Sequence, residues 1–284
     1  MAVWRRQSAQ RQRWPQLSES DLRFLVQTVA TQRNDHERVV ELLRDKPDIV
    51  DRMLDDEQLF RRLLHEEEAL VRASPYLLFT VLLRRAARDL PHEKFTIERL
   101  GSGERLPVFD ASRVGDLLGD PAVVDYLAEM LTSFVRTESA TVYYRSGRRY
   151  RRRTYSDMDV DDMIALAGAA AAEFRYPYYK RIGDICLFIT GVFPEHVPAA
   201  YAPAVTTPQA GWWRRRQRRG LEEYELEAKR FYKLAAVTPT AGEQGVNVTL
   251  LKLAQNFNLA RKPLNYITDN YIRLHRAQLF GGPD

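Results

Sequence analysis

Three clusters rich in arginine and aromatic residues stand out in this sequence, at residues 4–14, 143–155 and 212–219. They contain four, six and five arginines and no Asp or Glu. The rest of the 284-residue chain holds 28 basic against 38 acidic residues, a net charge of about −10, although the whole chain carries +5. Arginine pairs with phosphates and carboxylates, and Tyr and Trp rings stack on bases or guanidinium planes. The clusters therefore predict a surface that binds an anionic macromolecule.

The second and third clusters supply the residues that we predict to bind this partner. The preferred partner is an acidic protein or a second copy of this chain, because arginine binds carboxylates and the rest of the chain is acidic. Direct nucleic-acid binding is the alternative. Arginine outnumbers lysine 36 to 7, a bias that a GC-rich genome also produces. The predicted binding residues are Arg145, Arg148, Arg149, Arg151, Arg152, Arg153, Tyr143, Tyr150, Trp212, Trp213, Arg214, Arg215, Arg216, Arg218 and Arg219.

An acidic run at 157–161 alternates Asp with other residues and resembles the opening of a calcium loop. The match fails further along. The sixth position is Asp162, where the loop needs Gly for a sharp turn, and the twelfth is Gly168, where it needs a bidentate Glu. We expect instead that Ser156 caps a helix whose acidic first turn complements the helix dipole.

No pattern of nucleophilic or metal-ligating residues forms a recognisable active site. The histidines are scattered, and none has the Glu three residues before it that di-iron bundles use. Zinc-protease, paired Cys-x-x-Cys, phosphate-loop and nucleophile-elbow motifs are missing from the sequence. We therefore predict no metal, no cofactor and no catalytic residue, with an unrecognised enzyme as a second alternative. The five histidines are His36, His65, His92, His196 and His275.

One carboxylate, Asp184, lies inside the apolar run 182–193. A buried carboxylate without a partner costs several kcal/mol or becomes protonated. We expect Asp184 either to be exposed at a helix end or to form a buried salt bridge with Arg84, Arg85 or Arg181. A functional site around Asp184 is the third interpretation.

A single cysteine, Cys186, excludes an intrachain disulfide and is typical of a cytoplasmic protein. It lies in an apolar run without a neighbouring cation, which predicts an inert buried thiol. The sequence has no apolar stretch of the ~20 residues that a membrane-spanning helix requires. We therefore expect a cytoplasmic protein without a transmembrane segment.

Apolar periodicity predicts a mainly α fold, a multi-helix bundle or array with at most a small β-hairpin. Ser18 and Asp21 form a capping-box pattern, and Ser74 followed by Pro75 predicts another helix start. Aromatic and β-branched residues on both sides of Ser146 predict a hairpin over 141–155. The predicted helices span 22–29, 39–43, 49–54, 59–64, 76–90, 121–135, 178–193, 221–237 and 248–279, the last kinked or divided at Pro263.

The domain organisation follows from where this helical pattern weakens. Several glycines interrupt the region before Pro121, so a boundary between two helical layers is expected there. A single domain over 18–284 is the alternative. The predicted segments are a basic flexible arm (1–17), an N-terminal helical layer (18–90), a connecting segment (91–120), and a C-terminal helical layer (121–284) that carries the basic hairpin.

Three apolar stretches resemble segments of a bacterial all-helical protein family to which no activity is attached. They are SPYLLFTVLLRRA at 74–86, GDICLFITGVFPE at 183–195 and LKLAQNFNLA at 251–260. The resemblance extends loosely over residues 35–280 and implies an all-helical fold, with no functional residues carried across. The last two predicted helices also resemble one tetratricopeptide unit, although no 34-residue repeat accompanies them.

Overall fold

The computed structural model describes residues 16–31, 35–99, 105–135, 139–146, 149–197, 219–273 and 275–280, and over 139–154 it describes the backbone alone. The N-terminal part consists of short helices, as predicted for 22–29, 39–43, 49–54 and 59–64. They are α1 (Glu19–Val29), α2 (His36–Arg44), α3 (Pro47–Leu54), α4 (Glu57–His65) and α5 (Glu67–Arg72).

A long helix, α6 (Pro75–Asp89), then enters the centre of the fold. The region after it, predicted as a connection, contains a two-stranded antiparallel hairpin and a helix: β1 (Thr96–Arg99), β2 (Arg105–Val108) and α7 (Ala111–Leu118). The next elements are α8 (Pro121–Val135), β3 (Ser139–Ser146), β4 (Arg149–Ser156), α9 (Val160–Ala169) and α10 (Tyr176–Val192). The remaining helices are α11 (Leu221–Ala236), α12 (Pro239–Glu243), α13 (Asn247–Gln255), α14 (Phe257–Asn270) and α15 (Arg276–Phe280).

The mainly α fold class is confirmed, and the predicted basic hairpin is present as β3 and β4. The second hairpin, β1–β2, was not predicted. Its strands have four residues each, and Pro107 interrupts any alternation of apolar and polar residues. A strand this short leaves too little periodicity for recognition from the sequence.

Local capping residues set several helix starts. Ser18 and Asp21 form the predicted capping box of α1, and the Ser74 hydroxyl accepts from the backbone N–H of Leu77 at the start of α6. The prediction that Ser156 caps α9 is wrong. The cap is Asp159, whose carboxylate accepts from the backbone N–H of Asp162 at 2.9 Å, because the chain first makes a turn after β4.

The C-terminal helical pattern is divided at Asn256, so the predicted division at Pro263 is wrong in its position. Pro263 lies inside α14. The amide of Asn256 donates back to the carbonyl of Lys252 at 2.9 Å. Asn side chains compete in this way with the backbone hydrogen bonds of a helix, which favours the observed end of α13.

Buried apolar residues from Phe24 to Phe280 form one hydrophobic cluster. At its centre Phe188 of α10 stacks on Phe134 of α8, with ring centroids 4.1 Å apart. Phe280 of α15 contacts Phe188 edge-on at 5.0 Å and stacks on Phe79 of α6 at 5.6 Å. Four helices that are distant in sequence thus share this aromatic centre.

Two glycines on α10 allow neighbouring helices to approach closely. A Cβ atom at Gly183 would lie 2.5 Å from the Tyr232 ring of α11, and one at Gly191 would lie 2.7 Å from Leu264 Cβ of α14. Real Cβ atoms do not tolerate such distances. Glycine at both positions therefore fixes the separation of α10 from α11 and α14.

Candidate anion-binding ribbon and buried ionic centres

The predicted basic hairpin is an antiparallel ribbon of two eight-residue strands, β3 and β4, here called the basic ribbon. Its register places arginine opposite tyrosine: Tyr143 faces Arg152, and Arg145 faces Tyr150. Arg149 pairs with Ser146 at the turn end. The structure thus brings seven of the predicted binding residues together in one element.

Arginine occupies both faces of the basic ribbon. Successive residues of a strand alternate between faces, and directly paired residues share one. Each residue adds about 3.4 Å along a strand, so neighbours on the same face of one strand are about 6.8 Å apart. One face carries Tyr143, Arg145, Tyr150 and Arg152, and the other carries Tyr144, Arg149, Arg151, Arg153 and Tyr155.

The base of the basic ribbon is tied to α9 and α10. The backbone N–H of Ser156 donates to a carboxylate oxygen of Asp162 at 3.0 Å. Arg181 of α10 donates to the carbonyl and the carboxylate of Asp157, at 2.8 and 2.7 Å, and its guanidinium lies 3.9 Å from the Phe134 ring centroid. These contacts hold the base of the basic ribbon against α9 and α10.

The acidic run that follows the ribbon has internal roles. Asp157 binds Arg181, Asp159 caps α9, and the carboxylate of Asp161 accepts two hydrogen bonds from Arg219, at 2.5 and 3.2 Å. Within the described part of the chain, no group of three or more His, Cys, Asp or Glu is placed to hold a metal ion. The carboxylates thus anchor neighbouring segments.

The third cluster is only partly described. Arg219 is mostly buried, with 18% of its side chain exposed, and its charge is paired with Asp161. It therefore lies against α9 in the helical body and is not one of the residues of the basic ribbon. The other predicted residues of this cluster, and one of the ribbon turn, fall outside the described residues: Trp212, Trp213, Arg214, Arg215, Arg216, Arg218 and Arg148. The basic arm at 1–15 also falls outside them.

Asp184 is buried at the junction of three helices. One carboxylate oxygen accepts from the hydroxyls of Tyr126 (α8) and Tyr232 (α11), at 2.7 and 2.9 Å. The other accepts from the ammonium of Lys180 at 2.8 Å, and this ammonium lies 4.7 Å from the Tyr126 ring centroid. The carboxylate thus has three donors and one compensating charge, which offsets the cost of its burial.

A buried salt bridge was one of the alternatives expected for Asp184, but the arginine partners named for it are wrong, and exposure at a helix end is excluded. Arg84 binds Asp51 and Asp55, Arg85 binds Glu57 and Asp89, and Arg181 binds Asp157. Lys180 lies four residues before Asp184, one turn away on the same helix face, so helix geometry alone offers it as a partner. Asp184 therefore joins α8, α10 and α11 as a polar junction.

The buried tyrosines of this junction predict a loss of stability at alkaline pH. Burial, followed by the charge of Asp184, raises the pKa of Tyr126 and Tyr232 well above its usual value near 10. The neutral phenols are therefore favoured in the folded state. Their contribution is fully present below about pH 10 and is lost as pH rises further, because the unfolded chain ionises first.

We expect the free energy of unfolding to fall by up to about 1.4 kcal/mol per pH unit for each tyrosine above pH 10. Urea unfolding at a series of alkaline pH values measures this slope. The double variant Tyr126→Phe, Tyr232→Phe should show a shallower fall than the unaltered protein. Equal slopes for the two proteins would contradict the assignment of alkaline sensitivity to this junction.

A second buried ionic centre, at the start of the β1–β2 hairpin, was not predicted. Arg261 and Lys262 of α14 are 2% and 5% exposed. Arg261 binds Glu98 of β1, and Lys262 binds both Glu98, at 3.4 Å, and Asp110. In the sequence, this centre is marked only by two adjacent cations within the apolar pattern of α14. Adjacent cations are normally exposed to solvent, so they do not predict a buried centre. The partners are more than 150 residues away.

Cys186 is fully buried in α10, as predicted from its apolar run. Burial raises the pKa of its thiol, with a smaller opposing contribution from Arg219. The thiolate is the nucleophilic form of cysteine. Cys186 therefore behaves as a small apolar core residue.

No family model, no curated protein and no solved structure matches this chain. Among the described residues, no helix is both long enough and apolar enough to cross a bilayer. A function for this chain is therefore inferred from the chemistry of its own residues.

Proposed function

We propose that this chain is a non-catalytic nucleic-acid-binding protein that uses the basic ribbon to bind phosphate groups. The observation that carries the proposal is the presence of arginine on both faces of a two-stranded ribbon. A flat acidic protein surface would neutralise one face and leave the other in solvent. A nucleic-acid groove has phosphates along both walls, and the major groove of duplex DNA is wide enough for a two-stranded β-ribbon.

The charges of the helical body favour an external partner for the ribbon. Many body carboxylates already bind body cations, and this reduces the acidic surface that a second copy of the chain could offer to the ribbon. For the same reason, fewer body carboxylates remain to bind the ribbon arginines of the same chain. Examples of these internal pairs are Arg23–Glu37, Arg84–Asp55, Arg85–Asp89, Arg181–Asp157, Arg219–Asp161, Lys252–Asp120 and Arg276–Glu195.

Removing the arginines from one ribbon face tests the proposal. The triple variant Arg149→Gln, Arg151→Gln, Arg153→Gln should bind a labelled DNA duplex more weakly than the unaltered protein. Each phosphate contact contributes about −0.9 to the slope of log affinity against log salt, so the slope should flatten by up to about 2.7. Fluorescence anisotropy titrations at several salt concentrations measure both quantities.

A charge-matched control separates the ribbon from general electrostatics. Arg38 (α2), Arg52 (α3) and Arg273 are exposed on the helical body. The variant Arg38→Gln, Arg52→Gln, Arg273→Gln has the same net charge as the ribbon triple and should retain the salt slope. Equal effects of the two variants, or full binding by the ribbon triple, would refute the proposal. If no duplex or single strand binds and a stoichiometric acidic protein copurifies instead, that protein is the partner.

A further inference from the structure

The β1–β2 hairpin presents an exposed pair of aromatic rings, Phe95 and Phe109, here called the aromatic pair. Their side chains are 42% and 83% exposed, and their rings meet edge to face with centroids 6.4 Å apart. The strands between them carry a further exposed apolar residue, Leu106, at 52%. Single exposed apolar residues are ordinary, but adjoining exposed rings are typical of a binding surface.

The second buried ionic centre holds the aromatic pair in place. Thr96 directly follows Phe95, Asp110 directly follows Phe109, and the Thr96 hydroxyl donates to the Asp110 carboxylate. Asp110 in turn binds the ammonium of Lys262. Each ring is thus adjacent in sequence to an anchored residue, so the backbone that carries the rings is already held before a ligand binds.

The charges around the aromatic pair favour an anionic ligand. Lys94, Arg105 and Arg113 are exposed on the segments that carry or flank the rings. The two hairpin carboxylates, of Glu98 and Asp110, are already bound by Arg261 and Lys262. Among the described residues of these segments, the exposed carboxylates are those of Glu93 and Asp116, fewer than the three exposed cations.

We propose that the aromatic pair is a stacking platform for unpaired bases of a single-stranded nucleic acid. This inference rests on the proposed function and adds a contact to unpaired bases to the phosphate contacts of the basic ribbon. Bases inside a duplex are covered by their neighbours, whereas an unpaired base offers its π-face to an exposed ring. Every base has such a face, so the platform binds single strands with little sequence preference.

The variant Phe109→Ala tests this platform. It should bind a short labelled single strand at least about fivefold more weakly, because one base–aromatic stack contributes about 1–3 kcal/mol. Affinity for the duplex of the same sequence should stay within about twofold. Phe109→Trp should restore single-strand binding, and Phe109→Leu should not, because leucine keeps the apolar contact and lacks the aromatic face.

Phe174 supplies the matched control, since it is 65% exposed in the turn Ala172–Phe174, away from the hairpin. Phe174→Ala should leave single-strand affinity unchanged. Equal losses for the two alanine variants, or full binding by Phe109→Leu, would overturn the stacking platform. Loss of a dimer on size-exclusion chromatography with Phe109→Ala, without loss of single-strand binding, would assign the aromatic pair to self-association and also overturn it.

The ribbon triple separates this inference from the function on which it rests. If that triple weakens both forms of nucleic acid and Phe109→Ala weakens neither, the ribbon binds and the platform is wrong. If Phe109→Ala weakens single-strand binding while the ribbon triple retains full affinity, the platform stands and the ribbon's role is wrong.

Discussion

Phe188→Ala is expected to lower the free energy of unfolding by about 3–5 kcal/mol. The Phe188 ring is fully buried and contacts Phe134 of α8, Phe280 of α15 and Phe193 at the end of its own helix. Truncation removes these contacts and leaves a cavity that helices on several sides cannot all close. Leu78→Ala, at a buried position of α6, should cost about 2–5 kcal/mol for the same reason.

Urea unfolding followed by circular dichroism measures this loss. Phe174→Ala removes the same side chain from an exposed site and should change the free energy of unfolding by less than about 0.5 kcal/mol. If Phe188→Ala were no more destabilising than this control, the aromatic centre between α6, α8, α10 and α15 would be wrongly assigned.

Asp184→Ala is expected to cost about 3–5 kcal/mol, the range found when one partner of a buried pair is removed. The substitution leaves the hydroxyls of Tyr126 and Tyr232 without their acceptor in a closed interior. It also leaves Lys180 without its counter-charge, although that side chain is 20% exposed and can turn toward solvent. Most of the loss therefore comes from the two buried hydroxyls.

Single tyrosine variants test this division. Tyr126→Phe and Tyr232→Phe each remove one donor and leave the carboxylate with two others, so each should cost about 1–2 kcal/mol. Glu37→Ala removes a carboxylate from an exposed pair with Arg23 and should cost less than about 1 kcal/mol. A value for Asp184→Ala as small as that of Glu37→Ala would show that the junction contributes nothing to stability.

Local signals in the sequence determined where several elements begin. Ser18 with Asp21, and Ser74 with Pro75, mark the starts of α1 and α6 because capping depends on residues within one turn of each other. The basic ribbon follows from β-branched and aromatic residues around a short turn, a signal that is also local. Apolar periodicity was sufficient for the mainly α fold class for the same reason.

Helix boundaries were less predictable where two local signals compete. Pro263 was expected to divide the last helical segment, but the break lies at Asn256. A proline removes one backbone hydrogen bond, and tertiary contacts can offset that loss. The amide of Asn256 binds the carbonyl of Lys252 where α13 ends, although Asn265 makes the same bond to Arg261 inside α14. Which of the two signals prevails depends on the surrounding packing.

The tertiary structure alone decided the partners of the buried polar groups. Tyr126 and Tyr232 are 58 and 48 residues from Asp184, and Glu98 is 163 residues from Arg261. Sequence periodicity reports neighbours one helical turn apart, as for Lys180, and contains no information on which helix faces meet. The sequence by itself determined the type of element, the charge of the ribbon and the burial of Cys186. The packing of α8, α10, α11 and α14 decided which charges are neutralised inside the protein, because such pairs form only when distant helices bring them within hydrogen-bonding distance.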